Sequence, residues 1–253
     1  MYTPINEGIG EYMGFPYGLG TTEQHIANAP KLAKSKKTGI VMTGASTPKQ
    51  IGDRLAVRAQ ELTNSKIAFA NLCIPAKDLN DWLTEAVWTS AMSTLSAAGL
   101  TANQVQVLLI QNDDLANPEV SFPERPQELA EKFKDVIDKH LEKFPNVKQI
   151  YLLSRTTTLW ASDPTHAEPK GYHNGWACKF VTEDSKNGVY APWVCDSFYM
   201  FTDGEIPNSN GLAILRTDFK EEGVHYTNSG KTKVGDWLHA QLLAHPVTKA
   251  YYF

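Results

Sequence analysis

From residue 38 to residue 153, strand-like and helix-like segments alternate along the chain. Residues 38–42 form a short apolar run closed by Thr43-Gly44-Ala45-Ser46, and residues 51–62 follow with helical spacing behind Pro48. Residues 66–72 read as a second strand. Residues 79–98 read as a helix carrying Leu79, Trp82, Leu83, Val87, Trp88 and Leu95. Residues 104–111 (Gln-Val-Gln-Val-Leu-Leu-Ile-Gln) are the clearest strand and end in Asn112-Asp113-Asp114. A helix over 126–144, periodic through Leu129, Phe133, Val136, Ile137 and Leu141, precedes a strand over 147–153 that ends at Ser154-Arg155. This alternation predicts an α/β fold on a mostly parallel sheet. Such sheets bind ligands beyond the carboxyl ends of their strands, where Ser46, Asn112 and Arg155 fall.

Residues 1–37 contain Gly8, Gly10, Gly14, Gly18 and Gly20 among Tyr12, Phe15 and Tyr17, with no sustained period, and are expected to form an irregular arm packed on a domain spanning 38–253. A chain of 253 residues with 42% hydrophobic and 21% charged residues suits one large core. The net charge of -4 argues against a nucleic-acid partner, and the one basic run, residues 31–37, reads as a solvated segment before the first strand. No apolar stretch has the length of a membrane span, so no membrane partner is expected. The amino-terminal stretch is polar and glycine-rich without a leader pattern, which leaves a cytoplasmic or a secreted setting open. Cys73, Cys178 and Cys195 read as buried free thiols, although Cys178 and Cys195 can pair if their segments meet.

The candidate chemistry lies in two places. Glu222-Gly223-Val224-His225 puts a carboxylate three residues before a histidine, just ahead of a capping cluster and a helix with Val234, Trp237, Leu238, Leu242 and Leu243. Ser46 follows Gly44-Ala45 at a strand-to-helix turn. It is either an N-cap, a job for which Thr47 competes, or a nucleophile if a base reaches it. His225 is the natural base. Glu222 is placed to hold its tautomer, with Asp218 as the alternative acid. Asn112 is a donor for an oxyanion beside the Ser46 amide, or else a cap on the strand end.

In this order the motifs resemble those of the SGNH, or GDSL-like, hydrolases. Gly44-Ala45-Ser46 stands where those have Gly-Asp-Ser, Ile110-Gln111-Asn112-Asp113 stands for Gly-x-Asn-Asp, and Glu222-Gly223-Val224-His225 stands for Asp-x-x-His. Residues 99–107, Phe144-Pro145-Asn146-Val147-Lys148, Ser154-Arg155 and Leu243-Ala244-His245-Pro246 further resemble uncharacterised bacterial proteins of this type. The resemblance implies a three-layer α/β/α sandwich of flavodoxin-like topology. It also implies ester hydrolysis through Ser46, His225 and Glu222, with no cofactor. The glycine that gives those enzymes a second oxyanion amide has no counterpart in Asn71-Leu72-Cys73-Ile74-Pro75-Ala76, where an amide of Leu72 or Cys73 can still point inward if the backbone allows it.

Residues 156–163 and 171–176 read as one long polar and aromatic connection, with Trp160, Tyr172 and Trp176 either lining a substrate rim or packing inside. Pro192-Trp193 and Asp203-Gly204 are expected to extend that rim. Arg155 either meets an anionic substrate or braces Asp163 and Glu168. His166, His173 and His225 with Asp163 and Asp196 offer enough metal ligands on paper, but they show no dedicated spacing, so no metal is expected. The expected substrate is a small-molecule or carbohydrate ester, such as an O-acetylated sugar. The alternative is a noncatalytic carbohydrate-binding or structural protein on the same fold.

Overall fold

The computed structural model describes residues 11–34, 37–62, 66–115 and 121–252; Gly8 and Gly10 of the expected arm lie outside them. Five parallel strands form the sheet: β3 (Thr38–Gly44), β4 (Ile67–Asn71), β5 (Val105–Gln111), β6 (Gln149–Leu152) and β7 (Val194–Cys195). Their order is β4-β3-β5-β6-β7. From β3 the chain steps outward to β4 and then crosses back to β5, so the order reverses between β3 and β5. That crevice is where a doubly wound sheet offers a ligand site.

Every residue of β3 and β5 is buried, as expected of central parallel strands covered on both faces. Alternate side chains serve opposite layers. Val41, Leu108 and Ile110 pack toward α3 (Glu85–Ala97), α4 (Glu124–Lys143) and α5 (Lys170–Lys186). Ile40, Met42, Val107 and Leu109 pack toward α2 (Ser46–Gln60) and α6 (Asn228–Ala244). The α/β/α sandwich follows from this two-sided burial, at roughly 1.5–3 kcal/mol for each large apolar side chain removed from water.

The arm is more ordered than its glycines suggest. Its described part holds a small hairpin, β1 (Glu11–Tyr12) and β2 (Phe15–Pro16), and a short helix, α1 (Glu23–Ala27). Tyr12, Phe15 and Tyr17 pack on Trp176, and Lys179 donates to the carbonyls of Tyr17 and Leu19 at 2.8 and 2.9 Å. A final helix, α7 (Lys249–Tyr252), closes the chain's described part.

Two sequence expectations are corrected. The helix over 79–98 is split: a 3-10 turn at Asp81–Leu83 gives way at the extended Thr84, and α3 starts at Glu85. Residues 171–176 are not a loop but the first turns of α5, which is buried nearly all round and so shows no amphipathic stripe. All three cysteines are free and buried. No helix among the described residues is long and apolar enough to cross a membrane.

Candidate active site

Gly44 ends β3 with φ +148°, and a Cβ there would stand 1.9 Å from the Gln111 carbonyl oxygen and 2.6 Å from Pro48 Cγ. Only glycine lets the ends of β3 and β5 approach this closely. The chain then turns straight into α2, whose first residue is Ser46. Neither Ser46 nor Thr47 caps this helix, since no side chain bonds its free amides. The Ser46 hydroxyl points elsewhere: its Oγ lies 2.9 Å from His225 Nε2.

His225 Nδ1 lies 2.8 Å from Glu222 Oε1, and the same oxygen accepts from the His225 amide at 3.2 Å. Partial burial pushes the Glu222 carboxyl up, but its own amide and the ring and amide of His225 outweigh this and hold it below the usual carboxylate range. An ionised carboxylate only accepts, so Nδ1 carries the proton and donates it to Glu222. Nε2 is left as an acceptor for the Ser46 hydroxyl. Gly223 makes the bend between acid and base. At φ +72° its absent Cβ would stand 1.8 Å from the Trp160 carbonyl oxygen.

The other candidate acid is engaged elsewhere. Asp218 Oδ2 accepts from the Leu215 amide at 2.8 Å and pairs with Lys233.

Ser46 and His225 open on a cavity of about 340 Å³ that also meets Pro75, Ala76, Asn112, Asp113, Arg155, His166 and Phe219. Asn112 lies just past β5. Its Oδ1 accepts from the Asp113 amide at 2.8 Å, and its Nδ2 donates to the Lys77 carbonyl at 3.3 Å, which leaves one amide hydrogen uncommitted. Its backbone carbonyl accepts from the buried Asn174, which also accepts from the Arg155 amide and so ties the ends of β5 and β6 together.

The expectation for Leu72 and Cys73 fails, because both amides are spent. Leu72 N–H donates to Met42 O at 2.8 Å, and Cys73 N–H to Asn71 Oδ1 at 3.2 Å. Ala76, further along the same loop, lines the cavity and takes φ +58°, a left-handed conformation uncommon outside glycine. Its amide donates no hydrogen bond to a described residue.

The aromatic rim is also corrected. Tyr172 and Trp176 are buried in the cluster with Tyr17, Phe122, Tyr199 and Phe201, because α5 turns that face toward the arm. Trp160 packs on Phe219, and Trp193 on His25 and Tyr151. Asp203-Gly204 lies against Leu159 and not on the cavity wall. Arg155 does line the cavity, but it braces neither Asp163 nor Glu168; its Nη1 donates to Asp113 at 3.0 Å. Among the described residues no three His, Cys, Asp or Glu side chains gather to hold a metal. Sequence reasoning missed Ala76, Asn174 and Gln50, which bonds the backbone beside His225. The strand-to-helix placement of Gln50, one turn after Ser46, was the signal available.

No protein-family model matches the chain, and no curated protein does. Among solved structures it is similar to the lipase Lip_vut3 from a goat rumen metagenome, with 12% identity, a TM-score of 0.51, and coverage of 81% of this chain and 97% of that one. It is likewise similar to a single-substitution mutant of Axe2, an acetyl-xylooligosaccharide esterase from Geobacillus stearothermophilus, with 12% identity, a TM-score of 0.50, and coverage of 82% and 96%. With its β4-β3-β5-β6-β7 parallel sheet between two helical layers, the chain is a three-layer α/β/α sandwich, the fold it shares with these two structures.

Proposed function

We propose that the protein is a serine-dependent ester hydrolase working through an acyl-enzyme. Ser46 Oγ attacks the ester carbonyl carbon while His225 Nε2 takes its proton. Glu222 holds the ring in the productive tautomer and stabilises the imidazolium. His225 then returns the proton to the leaving alcohol as the carbon–oxygen bond breaks. Water, deprotonated by the same nitrogen, releases the acid and regenerates Ser46. The carbonyl oxygen, negative in the tetrahedral intermediate, is served by the amides of Ser46 and Ala76 and the free hydrogen of Asn112 Nδ2. The start of α2 adds favourable dipole.

The observation that carries this reading is the unbroken chain Ser46–His225–Glu222, at 2.9 and 2.8 Å, opening on a cavity. Its modest volume of about 340 Å³ suits a short acyl group, and the similarity to an acetyl-xylooligosaccharide esterase makes O-acetylated sugars the first substrates to try. A noncatalytic carbohydrate binder would present stacking aromatics around a blocked serine. Here Tyr172 and Trp176 are buried away from the cavity, which counts against that reading.

The test is labelling with a serine-reactive fluorophosphonate. The wild-type protein is expected to label, and Ser46→Ala and His225→Ala are expected not to. A folded wild-type protein that stays unlabelled and turns over neither acetylated sugars nor short aryl esters would sink the proposal.

A further inference from the structure

We propose that the preferred ester also bears a carboxylate, gripped by the free edge of Arg155. This rests on the esterase reading and names the substrate class of the same site.

Arg155 lines the cavity with its side chain only 16% exposed. Asp113 takes one end of the guanidinium, through Nη1 at 3.0 Å. No hydrogen bond from a described residue engages Nε or Nη2. That Nε–Nη2 edge is one from which a guanidinium makes two parallel N–H···O bonds to a single carboxylate. The nearby loop carboxylates make no hydrogen bond to it and are held by other donors. Asp163 accepts from the amide and hydroxyl of Thr165, at 2.9 and 2.8 Å. Glu168 accepts from the amides of Thr158 and Tyr172, at 2.6 and 3.0 Å.

Two further groups lie near this edge, one a cation and one a neutral ring. Lys170, at the start of α5, has no carboxylate within ion-pair distance among the described residues and donates only to the Thr165 carbonyl, at 3.3 Å. His166 lines the cavity with a buried Nδ1 that has no partner. Burial, reinforced by Arg155 and Lys170, lowers the His166 imidazole below its ordinary value and keeps it a neutral hydrogen-bonding group near pH 7. Asp113, Asp114, Asp163 and Glu168 are the acids set against these groups, and Asp114 already pairs with Lys132 and Arg125. Asp113, beside the fork, disfavours a dianion, so a carboxylate fits better than a phosphate monoester.

The experiment compares kcat/KM within two matched pairs, one acid and one neutral in each. The first is an O-acetylated uronic acid and its methyl ester, with the charge on the alcohol side. The second is 4-nitrophenyl hydrogen glutarate and 4-nitrophenyl valerate, with the charge on the acyl side. In at least one pair the acid is expected to lead by about tenfold or more, mainly through KM, as charge-assisted hydrogen bonds imply. That lead is expected to shrink with added salt. It is also expected to collapse in Arg155→Lys, which keeps a cation beside Asp113 but has no fork. Equal values in both pairs, or a lead that survives in folded Arg155→Lys, overturns the inference and leaves the esterase reading standing. If Arg155→Lys does not fold, the wild-type ratios and their salt dependence decide. All four esters untouched and no fluorophosphonate labelling would overturn the esterase reading and this inference with it.

Discussion

Gln50 and Tyr226 grip one another through two hydrogen bonds: Gln50 Nε2 donates to the Tyr226 carbonyl, and the Tyr226 amide donates to Gln50 Oε1, both at 3.0 Å. Gln50 stands one helical turn beyond Ser46, and Tyr226 is the residue after His225. The helix that bears Ser46 and the loop that bears His225 are thereby joined close to both side chains. Tyr226 is fixed further by its hydroxyl, 2.7 Å from Thr156 Oγ1, and by stacking on Phe219. Gln50→Ala is expected to lower kcat by about tenfold with little change in KM, because small misplacements of reacting groups are costly. Gln50→Glu, which keeps the acceptor and loses the donor, should fall between. Steady-state kinetics alongside thermal unfolding would separate positioning from folding; equal losses in KM and kcat would argue against a positioning role.

The acid of the triad can be assigned by a pair of variants. Glu222→Gln removes the charge that fixes the His225 tautomer, and kcat is expected to drop by at least about 100-fold. Asp218→Asn weakens the contact with Lys233 and should lower thermal stability more than kcat. A larger kcat loss in Asp218→Asn than in Glu222→Gln would reverse the assignment.

Ala76 holds a conformation that costs an alanine roughly 1–2 kcal/mol. Ala76→Gly relieves that strain while adding chain entropy in the unfolded state, so stability should stay level or rise by up to about 1 kcal/mol with labelling retained. Ala76→Val should be destabilised by about 2 kcal/mol and label slowly. Chemical denaturation and labelling rates on both variants check this. A Val variant as stable as wild type would contradict the left-handed assignment.

His140 connects stability to pH. It is fully buried and stacked on Trp82, its Nδ1 2.7 Å from the Val136 carbonyl and its Nε2 2.9 Å from Thr43 Oγ1. Burial pulls its pKa down to about 4, despite the opposing bond to Val136. Burial likewise brings His173 and His245 to about 4. The folded value lies below the unfolded one, near 6.5, so between them the unfolded chain binds more protons and stability falls as pH falls. From pH 7 to pH 5 the His140 share is about 2 kcal/mol. Urea midpoints at the two pH values should therefore differ, and His140→Gln should flatten the slope even though it lowers stability overall. An unchanged slope would place the effect on His173 and His245.

How much could be read in advance follows the physics of each segment. Strands β3 and β5 and helix α4 are legible because strand-length apolar runs and a helical stripe depend only on neighbours along the chain. Helix α5 is hidden: Pro169, Gly171 and Gly175 look like loop residues, and polar Asn174 and Lys179 are buried with Trp176. β7 has two residues, too few for any period. At the site, Ser46, Glu222 and His225 stand out by local motif, and the distances between them come only from the fold. Asp113 as the partner of Arg155 depends on two strand ends meeting, and the part given to Ala76 depends on a backbone angle, neither of which residue spacing encodes.

Gly223 rests against the backbone of Trp160, not against its ring. The histidine loop is thus seated on a peptide group that every residue type possesses, with Ser162 Oγ donating to the Glu222 carbonyl at 3.3 Å and Trp160 packed on Phe219 beside it. An engineer could therefore redraw the remaining side chains of that loop while His225 stays in register with Ser46, provided that Trp160 and Ser162 are kept, the loop keeps its length and residue 223 stays glycine. The face the loop displays and the Ser46–His225 pair would then be separately adjustable parts of one protein.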